Sequence, residues 1–244
     1  MGMAVRLGGE VKLNGVRYGN SPTDTLKVDI VNDMAGTASI SKLDTIELVF
    51  SDGSTVDLSA AFTRSGNKLT AQAEWTNDTG SDKTVTAVRL KAGNKVYFES
   101  SVSATVPNGG SITINAEVTI TLSSTDTDFG GGVLDVEIAK RLSGERASAV
   151  ALGPLHLLQY SSAEGRYGLI AEVSLSATAD TENKKVMLTG KYTPSTNYTV
   201  DAEGVVVAGV QPDVGSAANY GLVWFRSLTL NANVEYTFTI EVTA

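Results

Sequence analysis

Cysteine is absent from the 244 residues, which excludes disulfides, thiolate metal sites and cysteine nucleophiles together. Stability has to come from packing and strand pairing. Histidine is almost absent as well. The single one, His156, sits in the apolar run Gly-Pro-Leu-His-Leu-Leu-Gln-Tyr160, and without cysteine it would be the only nitrogen ligand a zinc site could find. Catalysis at His156 would need a nucleophile and an orienting acid. Neither is supplied locally, so a structural or surface-strand histidine is expected. No run reaches the ~20 apolar residues that span a bilayer, and Met1–Glu10 lacks the apolar segment of a signal peptide. The expectation is a soluble protein made in the cytoplasm. A basic stripe is missing too. The net charge of −8 divides into 11 basic and 13 acidic residues up to Leu122, then 8 and 14 from Ser123 onward, with the signs interspersed. Nucleic acid and membrane surfaces are therefore not expected as partners.

What the chain does have is short alternating runs of Val, Thr and Ser, 24 glycines, and no long apolar stripe at helical spacing. That pattern specifies an all-β fold with little helix. Residues 1–25 hold Val5/Leu7 and Val11/Leu13 around the hairpin signal Asn14-Gly15. They read as an N-terminal arm or hairpin that pairs either with its own domain or with a neighbouring subunit. From Leu26 onward strands are expected at Leu26–Ile30, Thr45–Phe50, Val56–Phe62, Lys68–Trp75, Thr84–Lys91, Val96–Val106 and Ser111–Leu122, separated by turn signals such as Asp52-Gly, Ser65-Gly-Asn67 and Gly93-Asn94. In the last strand Ile112, Ile114, Ala116, Val118 and Ile120 share one face at period two. Regular turns between one-face-apolar strands predict an antiparallel β-sandwich of jelly-roll-like or Ig-like type. Asn77 and Asn197, which head Asn-x-Thr sequons, are expected as turn residues.

The second half repeats the first. Leu26–Gly36 lies over Leu134–Gly144 without a gap at an offset of 108, with four identities; Leu69–Thr76 matches Val186–Thr193 in pattern; Ile112/Ile114/Ala116/Val118/Ile120 corresponds to Val234/Tyr236/Phe238/Ile240/Val242 at an offset of 122. The growth of the offset implies about 14 extra residues in the second copy, placed mostly in Gly209–Tyr220. The expected organisation is a tandem duplication: a first sandwich over 26–122, a Gly-rich linker over 123–132 and a second sandwich over 133–244. The same alignment sets Trp75 against Tyr192 and Tyr97-Phe98 against Trp224-Phe225, the behaviour of core and interface positions.

Four further places carry residue types with chemical potential. Asp126-Thr-Asp128 offers carboxylates but lacks the glycine and closing glutamate of an EF-hand. Gly130-Gly-Gly132 precedes what reads as an alternating strand, so no helix N-terminus is expected there to meet a phosphate. Glu74 and Glu99 lie on strands, but opposite Lys191 and Arg226 in the repeat, as solvent-facing positions would. Trp75, Tyr97, Tyr167, Tyr192, Tyr220 and Trp224 are the possible contributors to a sugar-binding platform, and at strand positions they are expected inside the sandwich. No catalytic, cofactor-binding or metal-binding residue is assigned, and a non-enzymatic protein is expected.

Two passages carry a resemblance: Glu74-Trp-Thr-Asn-Asp-Thr-Gly, leading into Ser81–Leu90, and Val96-Tyr-Phe-Glu, leading into Val106-Pro-Asn-Gly-Gly110 and Ser111–Ile114. In style they resemble the β-sandwich structural proteins of tailed phages and thermophile viruses, over about a third of the chain. The resemblance implies a virion component, a capsid decoration, turret, fibre or tail protein, that assembles with itself and with other virion proteins. It transfers no functional residue. The alternative class is a glycan- or receptor-binding module or adhesin.

Overall fold

The computed structural model describes residues 2–244, and Met1, at the head of the expected arm, lies outside them. In chain order the elements are β1 (Gly2–Leu13), β2 (Val16–Gly19), β3 (Ser21–Pro22), α1 (Asp24–Met34), β4 (Thr45–Phe50), β5 (Thr55–Ser59), β6 (Thr63–Ser65), β7 (Lys68–Thr76), β8 (Lys83–Ala92), β9 (Lys95–Val106) and β10 (Ser111–Ser124). The second half continues with β11 (Phe129–Gly131), α2 (Leu134–Ser143), β12 (Leu152–Ser161), β13 (Arg166–Val173), β14 (Ser176–Asp180), β15 (Lys185–Tyr192), β16 (Tyr198–Val200), β17 (Ala202–Val207), β18 (Leu222–Trp224), β19 (Leu228–Leu230) and β20 (Tyr236–Thr243). The protein is mostly β, built in several sheets.

Sheet A runs β14-β15-β20-β1-β10-β7-β6, with β2 hairpinned onto β1. Its central strand is the N-terminal one. β1 lies antiparallel to β10 from Met3 to Leu13 and parallel to β20 at Gly2–Ala4, and so draws strands from both halves of the sequence into one sheet. The arm pairs within its own chain, through the Asn14-Gly15 turn, whose φ values of 47° and 89° suit those two residues. The stretch 123–132 contains the last two residues of β10 and all of β11.

Sheet B has the order β3-β9-β8-β4-β5 and sheet C the order β11-β18-β17-β12-β13, while β16 and β19 form a small separate pair. Sheets B and C thus order their own five strands identically, as first, fifth, fourth, second and third along the chain. The apolar face of sheet A is continuous across both halves: Leu7 pairs with Ile120, and Met3 with Val242. Sheets B and C pack on that face around one core containing Ile46, Leu48, Tyr97, Phe98, Ile114, Leu188, Val205, Trp224 and Ile240. The period-two face of β10 is buried as expected, from Ile112 to Ile120.

One expected strand is a helix. Leu26–Ile30 fits period two over five residues, but Leu26, Ile30 and Met34 also fall four apart, and all three are buried on one face of α1. Thr23 caps the N-terminus, its hydroxyl accepting the Leu26 N–H at 3.4 Å. The aligned segment behaves the same way. Leu134, Ile138 and Leu142 are buried along α2, which stops at Gly144 with φ 82°. Each helix crosses to the other half: α1 packs on β9 and also on β14 and β15, and α2 packs on β10, β7 and β6. Polar ties follow the same crossing. The Leu43 N–H donates to the Leu142 carbonyl at 2.8 Å, and Arg64 pairs with Glu145 at 2.8 Å.

Candidate functional site

The outer face of sheet B carries a ladder of charges laid across neighbouring strands. Asp57 on β5, Glu47 on β4, Arg89 and Lys91 on β8, and Glu99 on β9 lie side by side in register. Glu47 accepts from Lys91 at 2.9 Å and from Arg89 at 3.1 Å; Lys91 also reaches Asp57 at 3.0 Å, and Arg89 reaches Glu99 at 2.6 Å. Burial pushes the Glu47 carboxyl up, but the bonds from Lys91 and Arg89 outweigh it and hold it below the usual glutamate value. Three carboxylates and two cations are thus each paired across the strands. Because the folded-state value is depressed, the stability from Glu47 is present above its unfolded value of about 4.5 and is lost as the pH falls through the folded one. Lys91→Met is expected to cost about 1 kcal/mol at pH 7, and urea midpoints at pH 7 and pH 3 check that the cost shrinks in acid. Glu74, on β7, belongs to sheet A, so the structure does not bring it together with Glu99.

The corresponding outer face of sheet C is apolar and largely roofed. The segment Gly209–Tyr220, expected as the extra loop of the second half, folds over it, and Leu158, Ala202, Ala217, Tyr220 and Val223 form a second small core there. Asp213 ties the segment together by accepting from the Gly215 N–H at 3.1 Å and the Ser216 hydroxyl at 2.6 Å. His156 lies beneath, its Nδ1 2.9 Å from the Tyr220 hydroxyl and its Nε2 3.3 Å from Glu172. Tyr220 is fully buried and can lie there because Gly204 has no side chain; a Cβ would sit 2.4 Å from the ring. Burial, with Asp213 nearby, pushes the Tyr220 hydroxyl up to about 12. The Glu172–His156–Tyr220 chain runs from an exposed carboxylate through the buried histidine to a buried hydroxyl and ties β13 and β12 to the 209–220 segment.

The glycine-rich stretch needs a correction. Gly130–Gly132 is followed by helix α2, not by a strand, so a helix N-terminus is present after all. It is closed to phosphate for another reason. The Val133 and Leu134 N–H groups donate to the carbonyls of Tyr220 and Gly221 at 3.0 and 3.2 Å, the Val136 N–H donates to the Asp135 side chain at 2.8 Å, and Asp135 and Glu137 place negative charge in the first turn. At Asp126-Thr-Asp128 the Asp126 carboxylate accepts the Asp128 N–H at 3.1 Å in a tight turn. Among the described residues no three His, Asp or Glu side chains converge as metal ligands. Asn77 is buried and donates to the carbonyls of Ser81 and Val106, both at 2.8 Å, while Asn197 accepts the Ala232 N–H at 2.8 Å. Both lie in loops: Asn77 accepts the Thr79 N–H at 3.2 Å on its Oδ1, and Asn197 directly precedes β16.

Two of the open concave surfaces carry charges that are paired. A cleft of about 840 Å³ lies between α2, residues 145–148 and the 209–211 turn; of its charges, Glu137 pairs with Lys140 and with Arg146, both at 2.7 Å, and Glu145 pairs with Arg64 at 2.8 Å. A groove of about 370 Å³ on the outer face of sheet A is lined by Glu10, Lys12, Gln72, Asn115 and Glu117, with Glu10 paired to Lys12 at 2.8 Å and Glu117 to Lys68 at 2.6 Å.

Of the six aromatics weighed as a platform, Trp75, Tyr97, Tyr220 and Trp224 are buried and Tyr167 and Tyr192 half-buried. Val16 and Val234 are exposed singly, and the other exposed large apolar side chains lie at the rim of sheet C. Tyr160, Leu169 and Phe225 are 47%, 48% and 42% exposed. Tyr167 stands between the two rings, 5.2 Å from Tyr160 and 6.1 Å from Phe225, and Phe225 lies against Gly130, where a Cβ would be 2.2 Å away. The sequence sets Phe225 against Phe98 as a core or interface position; Phe98 is fully buried and Phe225 exposed. The sequence does not mark Tyr160, because the residue ends an otherwise buried run. Comparisons with known protein families, with characterised proteins and with solved structures give no match to this chain.

Proposed function

We propose that this chain is a non-enzymatic structural protein of a virion, a capsid decoration, turret or tail component, built from two copies of one β unit and assembling through contacts with further copies of itself. The observation that carries the assembly is the Tyr160, Tyr167, Leu169 and Phe225 patch at the rim of sheet C. Contiguous exposed apolar surface of this kind marks an interaction face, and the matching face of sheet B is tiled with paired charges. Duplication is supported by the identical strand order of sheets B and C and by the equivalent helices, each packed on the other half's strands. The virion setting rests on the sequence resemblance.

Light scattering and electron microscopy of the purified protein test this together. The expected result is a closed oligomer, or rings, tubes or spikes, that Leu169→Glu combined with Phe225→Glu returns to monomer without lowering thermal stability. A monodisperse monomer at high concentration would overturn it. A glycan-binding module has less support, since Trp75 and Trp224 lie inside the core.

A further inference from the structure

Among the described residues, β13 is the longest strand at the edge of a sheet. It closes one side of sheet C with eight residues, whereas the other outer strands of the three sheets, β2, β3, β5, β6, β11 and β14, have two to five. A long outer strand presents backbone N–H and C=O groups on which another strand can add. In sheet B the strand at the same place in the order, β5, is shorter and exposes Thr55, Asp57 and Ser59. β13 exposes Leu169 instead, and it is the half with β13 that carries Gly209–Tyr220 as extra chain. That segment reaches the edge of the sheet as well as the face it roofs. The Tyr167 N–H donates to the Gly215 carbonyl at 3.0 Å and so points away from β12. Gly215 thus stands on the side where an added strand would lie, ~4.8 Å out. Alternate residues of a strand point the same way, which sets the Leu169 N–H on that side too, just before the bulge at Ile170.

We propose that Gly209–Tyr220 guards the β13 edge against a second copy of this chain: with Gly215 on Tyr167 the strand is closed to pairing, and without it two β13 strands join antiparallel. The occupant is a second β13 because the strand is complementary to itself. Arg166 and Glu172, both exposed, lie three residues to either side of Leu169. An antiparallel copy brings the Arg166 end of each strand to the Glu172 end of the other and Leu169 beside Leu169, whereas a parallel copy would set like charges together. In the single chain Arg166 holds Glu164 at 2.7 Å and Glu172 lies 3.3 Å from His156, and both side chains stay open to solvent. Asp213 keeps the guard in place. Its carboxylate accepts the Gly215 N–H and the Ser216 hydroxyl, and its own N–H donates to the Ala218 carbonyl at 2.8 Å. The guard goes beyond the assembly proposed above, which joins copies through the side chains of the Tyr160, Tyr167, Leu169 and Phe225 patch; it keeps such contacts from running on into one continuous sheet.

Asp213→Ala loosens the guard in the intact chain and tests it. Sedimentation velocity over a concentration series is expected to show self-association tightened about tenfold relative to wild type, the scale of one or two lost hydrogen bonds, with the Tyr167 amide of the monomer exchanging about tenfold faster. Replacing residues 211–218 by Gly-Gly should go further in the same direction. In either variant Leu169→Pro, which removes the outward N–H, should abolish the added association. Leu169→Ala loses the same leucine side chain but keeps the N–H, and should not. The inference is overturned if neither variant associates more tightly than wild type, or if Leu169→Pro and Leu169→Ala act alike. The patch reading is judged separately, on the wild type: a monomeric wild type refutes that reading, while tightened association of Asp213→Ala still supports the guard.

Discussion

Arg226→Ala is expected to lower the unfolding free energy by about 3 kcal/mol, one of the largest losses any single surface-reaching side chain of this protein should show. Glu203 is the reason. It sits on β17 between Ala202 and Gly204, with its side chain on the same inward face as Val205 and Val207, directly across the ladder from Trp224. It is fully buried, and among the described residues its side chain meets the Arg226 Nε, 2.5 Å from Oε2, while Oε1 has no partner there. Removing the arginine strands a carboxylate in the core, where its lost hydration has no replacement. Removing both charges should do much less harm. Glu203→Leu with Arg226→Met is expected to recover most of the loss, because a buried ion pair costs nearly as much desolvation as it returns in attraction. At the surface the Lys191–Glu235 pair has side chains 62% and 55% exposed, so Lys191→Ala combined with Glu235→Ala should shift stability by less than about 1 kcal/mol. Urea midpoints at pH 7 separate the cases, and a cost below 1 kcal/mol for Arg226→Ala would mean that the Glu203 carboxylate is held by something other than that arginine.

The contrast between these two pairs also marks what could be read in the sequence and what could not. Strand patterns over Lys68–Trp75, Thr84–Lys91, Val96–Val106 and Ser111–Leu122 were legible because one face of each is buried, which imposes period two on side-chain type. Leu26–Ile30 was misread because five residues cannot separate period two from a four-residue repeat, and the helical signal lies in the flanks, in the Thr23 cap and in Met34. Leu26–Gly36 and Leu134–Gly144, aligned as strands, both hold helices. What no local pattern carries is which surfaces the extra segment covers. Gly209–Tyr220 could be placed as an insertion by offset alone, but its roof over His156 and Leu158 depends on a tertiary contact made through Gly204. The exposed Tyr160 and Phe225 are illegible for the same reason, since a strand's apolar residue reads alike whether a neighbour covers it or not.

Two adjacent glycines in β1 should give opposite results. Gly9→Ala is expected to cost about 3 kcal/mol or more, and Gly8→Ala to be neutral or stabilising by a few tenths of a kcal/mol, the usual gain on relieving a strand of glycine's extra freedom. A Cβ on Gly8 would meet nothing within 4 Å, whereas one on Gly9 would fall 1.9 Å from the Glu117 carbonyl oxygen and 3.1 Å from the Val118 Cα. These are backbone atoms, and β10 has nowhere to retreat: its far edge is laddered to β7, with Glu117 opposite Thr70 and Val118 opposite Leu69. Nor is Gly9 free to move, since its own carbonyl accepts the Asn20 N–H at 3.1 Å. The damage should also spread beyond one ladder. β1 stands between β20 and β10, so a β1 pushed off β10 parts the two halves of sheet A and uncovers apolar surface on both. Gly9→Ala is therefore expected to lower the midpoint of a single cooperative transition, with both halves unfolding together, and hydrogen exchange in β7 and β15 should rise in parallel. Equal stability of the two variants within 1 kcal/mol, or a rise confined to β7, would show that β1 does not clamp the sheet at Gly9.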